Sequence, residues 1–431
     1  MPHQRSLLYV ISALTDFSAF IVVFVASRSL AEASADPMYL GLLGGSLALV
    51  QGLGSLLGGW LSHRFDARRV FVSGAALNVV SIILCRCVSP ASLWFLPAYW
   101  LIGIALGCLY PPLIGWLNEG NDPHQNRSGV SRTLFLFCVA WNIGMVCGVL
   151  TAGRLFERGR SVALMASFAV AIINLLLAIV AAIRRSNVGE VVEASVDHEP
   201  TPVAQIERAN RFRRLSWLAN LGGMFGGSLV VHLLPDLAVH LNIPSTDHGR
   251  ILAVWRGVVI ATYTLMYASS FWHFRFGTSI VSQLLAAGGL VVISQAQSET
   301  MLMVGLTMLG QLVGYNYFSG LFYSTAGSPP AKRALAAGIH EATLALGMAA
   351  GTLLGGVLGS RINHRIPYLL AGVFTVVLLG LQIVSNWIWK RQSAHDESSA
   401  LARSPQREQG QHETALDIAP TSAPLIPTPL E

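Results

Sequence analysis

Apolar runs of about twenty residues, separated by short polar turns, fill the chain from Leu7 to Trp389. A bilayer core of about 30 Å is crossed by about 20 helical residues. Backbone groups in lipid must be bonded within their own segment, which leaves helices or closed barrels. The runs are continuous, so helices are predicted. They fall near 7–27, 39–61, 70–88, 93–117, 130–152 and 162–183, then near 215–235, 250–272, 278–297, 300–324, 335–359 and 366–389. The fold class expected is an all-α membrane protein with twelve transmembrane helices. Residues 1–183 form an N-terminal six-helix bundle in this reading, and 215–390 a C-terminal one. The polar stretch 184–214, with Glu190, Glu193, Asp197, Glu199 and the cluster Arg211, Arg213, Arg214, reads as a cytoplasmic linker. Residues 391–431 turn to Ser, Pro, Gln and Glu, which cannot build a core, so a disordered tail is expected.

The two sets of runs repeat each other. Gly103, Gly107 and Tyr110 recur as Gly310, Gly314 and Tyr317 at an offset of 207, and Gly144, Gly148 and Gly153 recur as Gly347, Gly351 and Gly356 at 203. Glu32 and Asp236 match at 204, which sets Asn220 opposite Asp16. Such matches imply two pseudo-symmetric six-helix bundles of common plan. Only 12% of the 431 residues are charged, against about 25% in soluble domains. The basic residues gather on the side of Arg5, Arg64, Arg68, Arg69 and Arg211–Arg214, which predicts cytoplasmic termini. The loop Arg154–Arg160 departs from that bias. The net charge of +6 follows from the bias and calls for no nucleic-acid partner. The first run is too long, and carries Asp16 too centrally, for a cleavable signal peptide.

After the second run the chain reads Gly59-Trp60-Leu61-Ser62-His63-Arg64-Phe65-Asp66-Ala67-Arg68-Arg69. This resembles the signature loop of the major facilitator superfamily, with Gly59, Leu61, Arg64 and Arg68 matching, His63 in place of the acid and Asp66 in place of the second glycine. Arg275-Phe276-Gly277 stands where the duplicated loop would fall. The resemblance implies a multi-pass transporter of the cytoplasmic (inner) membrane, moving a small solute by alternating access as a monomer. It also implies a cytoplasmic gate in which Arg64 or Arg68 pairs with Glu119, and His63 with Glu341; a plain basic turn is the alternative. The glycines of the fifth and eleventh runs resemble the superfamily's drug antiporters, but Val149 and Thr352 stand where that motif has proline.

Other chemistry finds little support. Lys332 and Lys390 are the only lysines and neither follows a glycine, so no P-loop exists. His340-Glu341 begins like a zinc-protease helix, but Leu344 occupies the second histidine's place. The five cysteines lie within apolar runs and show no metal spacing. The chain is expected to be no enzyme, with no cofactor and no metal. A non-transporting sensor or scaffold on the same fold is the alternative to a transporter.

Charged side chains inside a membrane cost about 2.5–3.5 kcal/mol on insertion scales and face a cavity or a partner. Asp16, Arg256 and Glu341 are the candidates. By the superfamily's layout, Asp16, Tyr110, Asn142, Asn220, Met224, Arg256, Tyr317 and Glu341 line the substrate and proton pathway. Two readings stay open for Asp16, a proton-coupling carboxylate or a permanent helix contact. Two stay open for Arg256, a ligand for an anionic substrate or an ion-pair partner of Asp236. Arg28, Arg86 and Arg250 are near run ends and can snorkel.

Overall fold

The computed structural model describes residues 2–118, 127–184, 203–326 and 333–415. Within them run α1 (Pro2–Glu32), α2 (Pro37–Arg64), α3 (Ala67–Cys87), α4 (Phe95–Asn118), α5 (Arg127–Phe156), α6 (Arg160–Ile183), α7 (Val203–His232), α8 (Leu234–His240), α9 (Ser245–Ala268), α10 (Phe276–Gln295), α11 (Glu299–Ala326), α12 (Arg333–Arg361) and α13 (Ile366–Ala415). Ten are long and apolar enough to cross a membrane, and α7 with α8 makes an eleventh if the bent pair is one span. The fold is all-α and multi-spanning. The twelve uniform runs read from the sequence differ from this in two places. The seventh run is broken with a bend of 47°, because Pro235 lacks an N–H and crowds the preceding turn. The tenth forms α11, whose Gln311, Tyr315, Asn316, Tyr317 and Ser319 dilute its apolar character.

Two boundaries also differ. Part of the expected linker, 203–214, forms the first turns of α7, while 185–202 lie outside the described residues. The expected disordered tail is helical as far as Ala415. Once a helix exists, each further residue adds a bond at little cost, and no proline interrupts α13 before Pro405. The chain divides into two units, Met1–Gln382 and Ile383–Glu431. In the second, Arg391 lies 3.7 Å over the Trp387 ring.

The short turns are set locally. Asp36 caps α2 by accepting from the Met38 N–H at 2.8 Å, with Pro37 just inside the helix. Asp66 does the same for α3, accepting from Arg68 N–H at 2.9 Å, so the acid in the signature-like loop is an N-cap. Gly159, at φ 124°, makes the turn into α6 that a side chain would resist.

In the first half α1 packs on α5 and α6, α2 on α4, and α3 on α4 and α6; in the second, α7 packs on α11 and α12, and α9 and α10 on α11. The repeated glycines make equivalent contacts. A Cβ on Gly144 or Gly148 would strike the carbonyls of Ala13 and Phe17 in α1, and one on Gly347 or Gly351 those of Leu221 and Phe225 in α7. Small residues thus bring the backbones together. These contacts set the register of α1 against α7 at 208, one turn from the offset of 204 read in the sequence. Met224, not Asn220, is the counterpart of Asp16. Arg28 then corresponds to Asp236, Glu32 to His240 and Gly41 to Gly249.

Buried polar bonds tie α1 to its neighbours: Asn78 donates to Ser18 Oγ at 3.1 Å, Ser167 to the Ser18 carbonyl at 2.7 Å and Asn174 to Thr15 Oγ1 at 2.9 Å. In the second half Gln283 and Gln382 exchange amide bonds at 3.1 and 2.8 Å. Bonds of this kind average about 0.6 kcal/mol in membranes. Arg160 explains part of the basic loop that departs from the charge bias. It donates to the carbonyls of Cys85 and Val88 at the end of α3, as Arg365 does to those of Ser294 and Ala296 at the end of α10. Both guanidiniums satisfy orphan carbonyls at a helix C-terminus.

Candidate substrate and coupling site

Halfway along α1 the Asp16 carboxylate is buried, with 1% of the residue exposed. The Tyr110 hydroxyl of α4 donates to its Oδ2. The symmetry-related Tyr317 of α11 is the hydrogen-bonding neighbour of Glu341 on α12. Each half therefore offers one acid to one repeated tyrosine, but the acids come from non-equivalent helices. Glu341 has its counterpart in Cys138, at the offset of 203, and Asp16 has its counterpart in Met224. The two centres meet: Glu341 lies within electrostatic reach of Tyr110, and the Trp141 ring of α5 meets Tyr317 edge-on at 5.6 Å.

Arg256 of α9 is 7% exposed and within electrostatic reach of Asp16. Its guanidinium lies 4.0 Å over the Trp255 ring and 5.5 Å over Phe20. The expected alternative partner, Asp236, instead faces His240 and His364. The Nε of Arg256 has no hydrogen-bond partner among the described residues, and neither ring nitrogen of the buried His340 has one. A cavity of about 10 Å³, room for about one water, lies beside Arg256 between Phe20, Phe24, Val149 and Trp255.

The other expected pathway residues divide. Asn142 is buried, donates to the Cys138 carbonyl of its own helix at 2.9 Å and neighbours the Tyr263 hydroxyl. Met224 is half-buried and packs beside Gly347. Asn220 is fully buried and donates to Thr343 at 3.3 Å, so it ties α7 to α12. Tyr263, Trp141, Cys138 and His340 belong to the same cluster and were not singled out by the sequence. Tyr263 stands seven residues after Arg256, on the same helix face, and Cys138 is Glu341's repeat partner; those two signals could have found them.

At the loop end of α2, Arg64 is exposed and lies 5.6 Å over Trp60, and Arg68 lies 5.3 Å over Trp116. A Cβ on Gly59 would meet nothing within 4 Å, so packing does not require that glycine. Glu119 and the side chain of His63 lie outside the described residues. Glu341, expected as a partner for His63, is turned to Tyr317.

At the opposite end, where α1 finishes at Glu32, the halves are fastened together. Gly41 of α2 meets Gly356 of α12, and Gly249 of α9 meets Gly153 of α5, so closely that a Cβ would lie 2.8 Å from the Gly356 Cα or 2.6 Å from the Val149 carbonyl. Arg28, expected to snorkel, is buried and donates to the Ile243 carbonyl at 3.0 Å and to Glu32 at 2.8 Å. Ser245 donates to the Gly153 carbonyl at 3.1 Å, and the Thr246 N–H donates to Glu157 at 3.1 Å. Glu157 thereby supplies the side-chain cap that α9 lacks. Those hydrogen bonds, with Arg250 nearby, hold its carboxyl below the usual glutamate range.

The Major Facilitator Superfamily profile matches residues 7–326. The chain belongs to that superfamily. It is therefore a transmembrane transporter and not an enzyme. Solved structures share its fold at low identity. PepTSo, a POT-family transporter, matches at 11% identity over 91% of this chain and 99% of its own, with a TM-score of 0.69. A bacterial homologue of the human lysosomal transporter Spinster, inward-facing and unoccupied, matches at 14% over 90% and 98%, with a TM-score of 0.68. A variant of the nucleoside transporter NupG matches at 16% over 89% and 99%, with a TM-score of 0.62. No curated protein sequence matches the chain.

Proposed function

We propose that the protein is a proton-coupled secondary transporter of the cytoplasmic membrane, with twelve spans in two six-helix bundles and both termini cytoplasmic. It carries a small solute past a central site made by Asp16, Tyr110, Tyr317, Glu341 and Arg256. The observation that carries this is the pair of repeated tyrosines, each set against a membrane-embedded acid, Tyr110 with Asp16 and Tyr317 with Glu341, and the Arg256 guanidinium within electrostatic reach of Asp16. A carboxylate in a dry site tolerates its charge only with such partners. Opening the site to water on either side changes that balance, and so lets a proton enter or leave. Tyr110 reports the state of Asp16 through the bond it donates. The aromatic walls and the guanidinium suit a small organic solute with an acidic or polar group.

The test begins with a thermal-shift screen of purified protein against metabolite and drug libraries, followed by transport in vesicles of a solute that stabilises it. Asp16→Asn is expected to abolish proton-driven accumulation while leaving exchange across equilibrated vesicles. Accumulation at the wild-type rate in that variant refutes the coupling role. Arg256→Gln is expected to weaken solute affinity; affinity that survives while stability falls makes Arg256 structural. A second reading, a sensor or scaffold that binds without transport, draws on the narrow cavity beside Arg256. It predicts a solute that stabilises the protein and is never moved across the vesicle membrane.

A further inference from the structure

Three side chains with metal-ligating atoms converge at the Glu32 end: Asp236 and His240, one turn apart on α8, and His364 in the turn between α12 and α13. One ligand atom of each lies within 4.8 Å of the others. His240 Nδ1 is 3.4 Å from Asp236 Oδ1, and His364 Nδ1 is 3.8 Å from Oδ2. We propose that these three residues bind a divalent transition-metal ion of the zinc class, tying α8 to the α12–α13 turn.

Asp236 is 3% exposed, and its Oδ2 accepts no hydrogen bond among the described residues. A buried carboxylate oxygen left in that state is costly. Arg365, an electrostatic neighbour of His364, donates instead to the carbonyls of Ser294 and Ala296. The buried Tyr368 hydroxyl, near the carboxylate, is also without a partner. At the repeat-equivalent positions of the first half the corresponding pair is Arg28 and Glu32, a salt bridge of 2.8 Å. The second half has exchanged that pair for an acid and an imidazole and added His364 from the next turn.

The donor set selects the ion. Two imidazoles and a carboxylate match a tetrahedral zinc-type site with three protein ligands and one open position. Calcium and magnesium prefer all-oxygen shells. Bonds of about 2.0–2.1 Å in tetrahedral geometry separate ligand atoms by about 3.4 Å, close to the spacings observed. His240 Nδ1 lies 2.9 Å from the Asp236 backbone carbonyl. Coordination through Nδ1 exchanges that contact for the metal and leaves Nε2–H to donate outward, as the second nitrogen of a metal-bound imidazole usually does. The two rings now stack 3.8 Å apart, so coordination requires one to swing out, and the side chain of His240, 49% exposed, is free to do so.

The experiment uses the full chain, purified on a tag without histidine and titrated with Co²⁺ as a spectroscopic probe. The expected result is one equivalent bound with the visible bands of tetrahedral Co²⁺, displaced by Zn²⁺, and a rise in unfolding temperature with Zn²⁺. Asp236→Asn and His364→Gln should each abolish the bands, and His240→Ala should weaken binding at least about tenfold. Because Asp236 is buried, His364→Gln in the half-buried turn is the deciding variant, with native unfolding in metal-free buffer as its control. Wild-type protein without Co²⁺ bands or a Zn²⁺-dependent rise in unfolding temperature overturns the proposal. Bands that persist in His364→Gln overturn it equally.

Discussion

The two ends of the helix bundle are built on different principles. At the Glu32 end the halves meet backbone to backbone through Gly41 with Gly356 and Gly249 with Gly153, and hydrogen bonds from Arg28, Ser245 and Thr246 cross the seam. At the Arg64 end a ring stack, Phe135 on Tyr267 at 4.3 Å, crosses between the halves, and Arg64 and Arg68 lie over tryptophans of their own half. Glycine seams are nearly all-or-none, because a shift of an ångström either breaks the contact or drives backbone into backbone. Flat rings slide. On these contacts the Glu32 end is expected to open as a unit, and the Arg64 end to adjust more gradually.

The strongest way to break this comparison is to fill the seam. In Gly356→Leu the new side chain would meet the Gly41 Cα at 2.8 Å and the Pro37 carbonyl at 2.9 Å, neither of which can move aside. Overpacking costs about 1–3 kcal/mol, so the closed Glu32 end should lose about tenfold or more in population. Spin labels at Ala33 and Arg250 should report the separation. An unchanged distance distribution would show that the seam does not hold the end shut.

Removing Arg28 comes next. Its bond to the Ile243 carbonyl is buried and charge-assisted, worth about 1.5–3 kcal/mol. Arg28→Gln should open the same label pair to a lesser degree and lower the unfolding temperature, whereas the corresponding loss of Arg64 should not. If the two variants behave alike, the ends are not different in kind.

A smaller effect is expected from Glu157. Its pKa is depressed by the bonds it accepts from Thr246 and Ser245, so it favours the closed seam above the ordinary glutamate range and loses that effect as pH falls through its lowered value. Glu157→Gln should remove this acid dependence of the label distance between neutral pH and about pH 3. Persistence of the same dependence in the variant would assign it to another group.

The smallest is Arg64→Gln. An exposed cation over an indole is worth about 0.5–1 kcal/mol, and that ring belongs to the same helix. Stability and the Glu32-end distance should stay within error; a marked shift would give the signature-like loop a larger conformational role than its contacts support.

Length and composition determined a great deal here. Continuous apolar runs in a chain with few charges admit helices in a bilayer, since backbone groups in lipid have no water to turn to, and the recurring glycines predict a duplication whose glycine contacts on α1 and α7 are equivalent. Asp16, Arg256, Glu341 and the two tyrosines stood out because a charge or a repeated aromatic within such runs is uncommon. Other features depended on chain segments far apart in sequence. The glycine offset fixed α5 against α12, but the Glu32–Asp236 match left α1 against α7 one turn wrong, because α1 carries no repeated glycine of its own and its register is set by the helix it packs on. That Arg28 is buried against Ile243 and Asp236 turns to His364 could not be read from spacing. Which buried charge finds which partner is decided when helices from distant parts of the chain close together, and in a dry interior a charge pairs with what packing brings within reach.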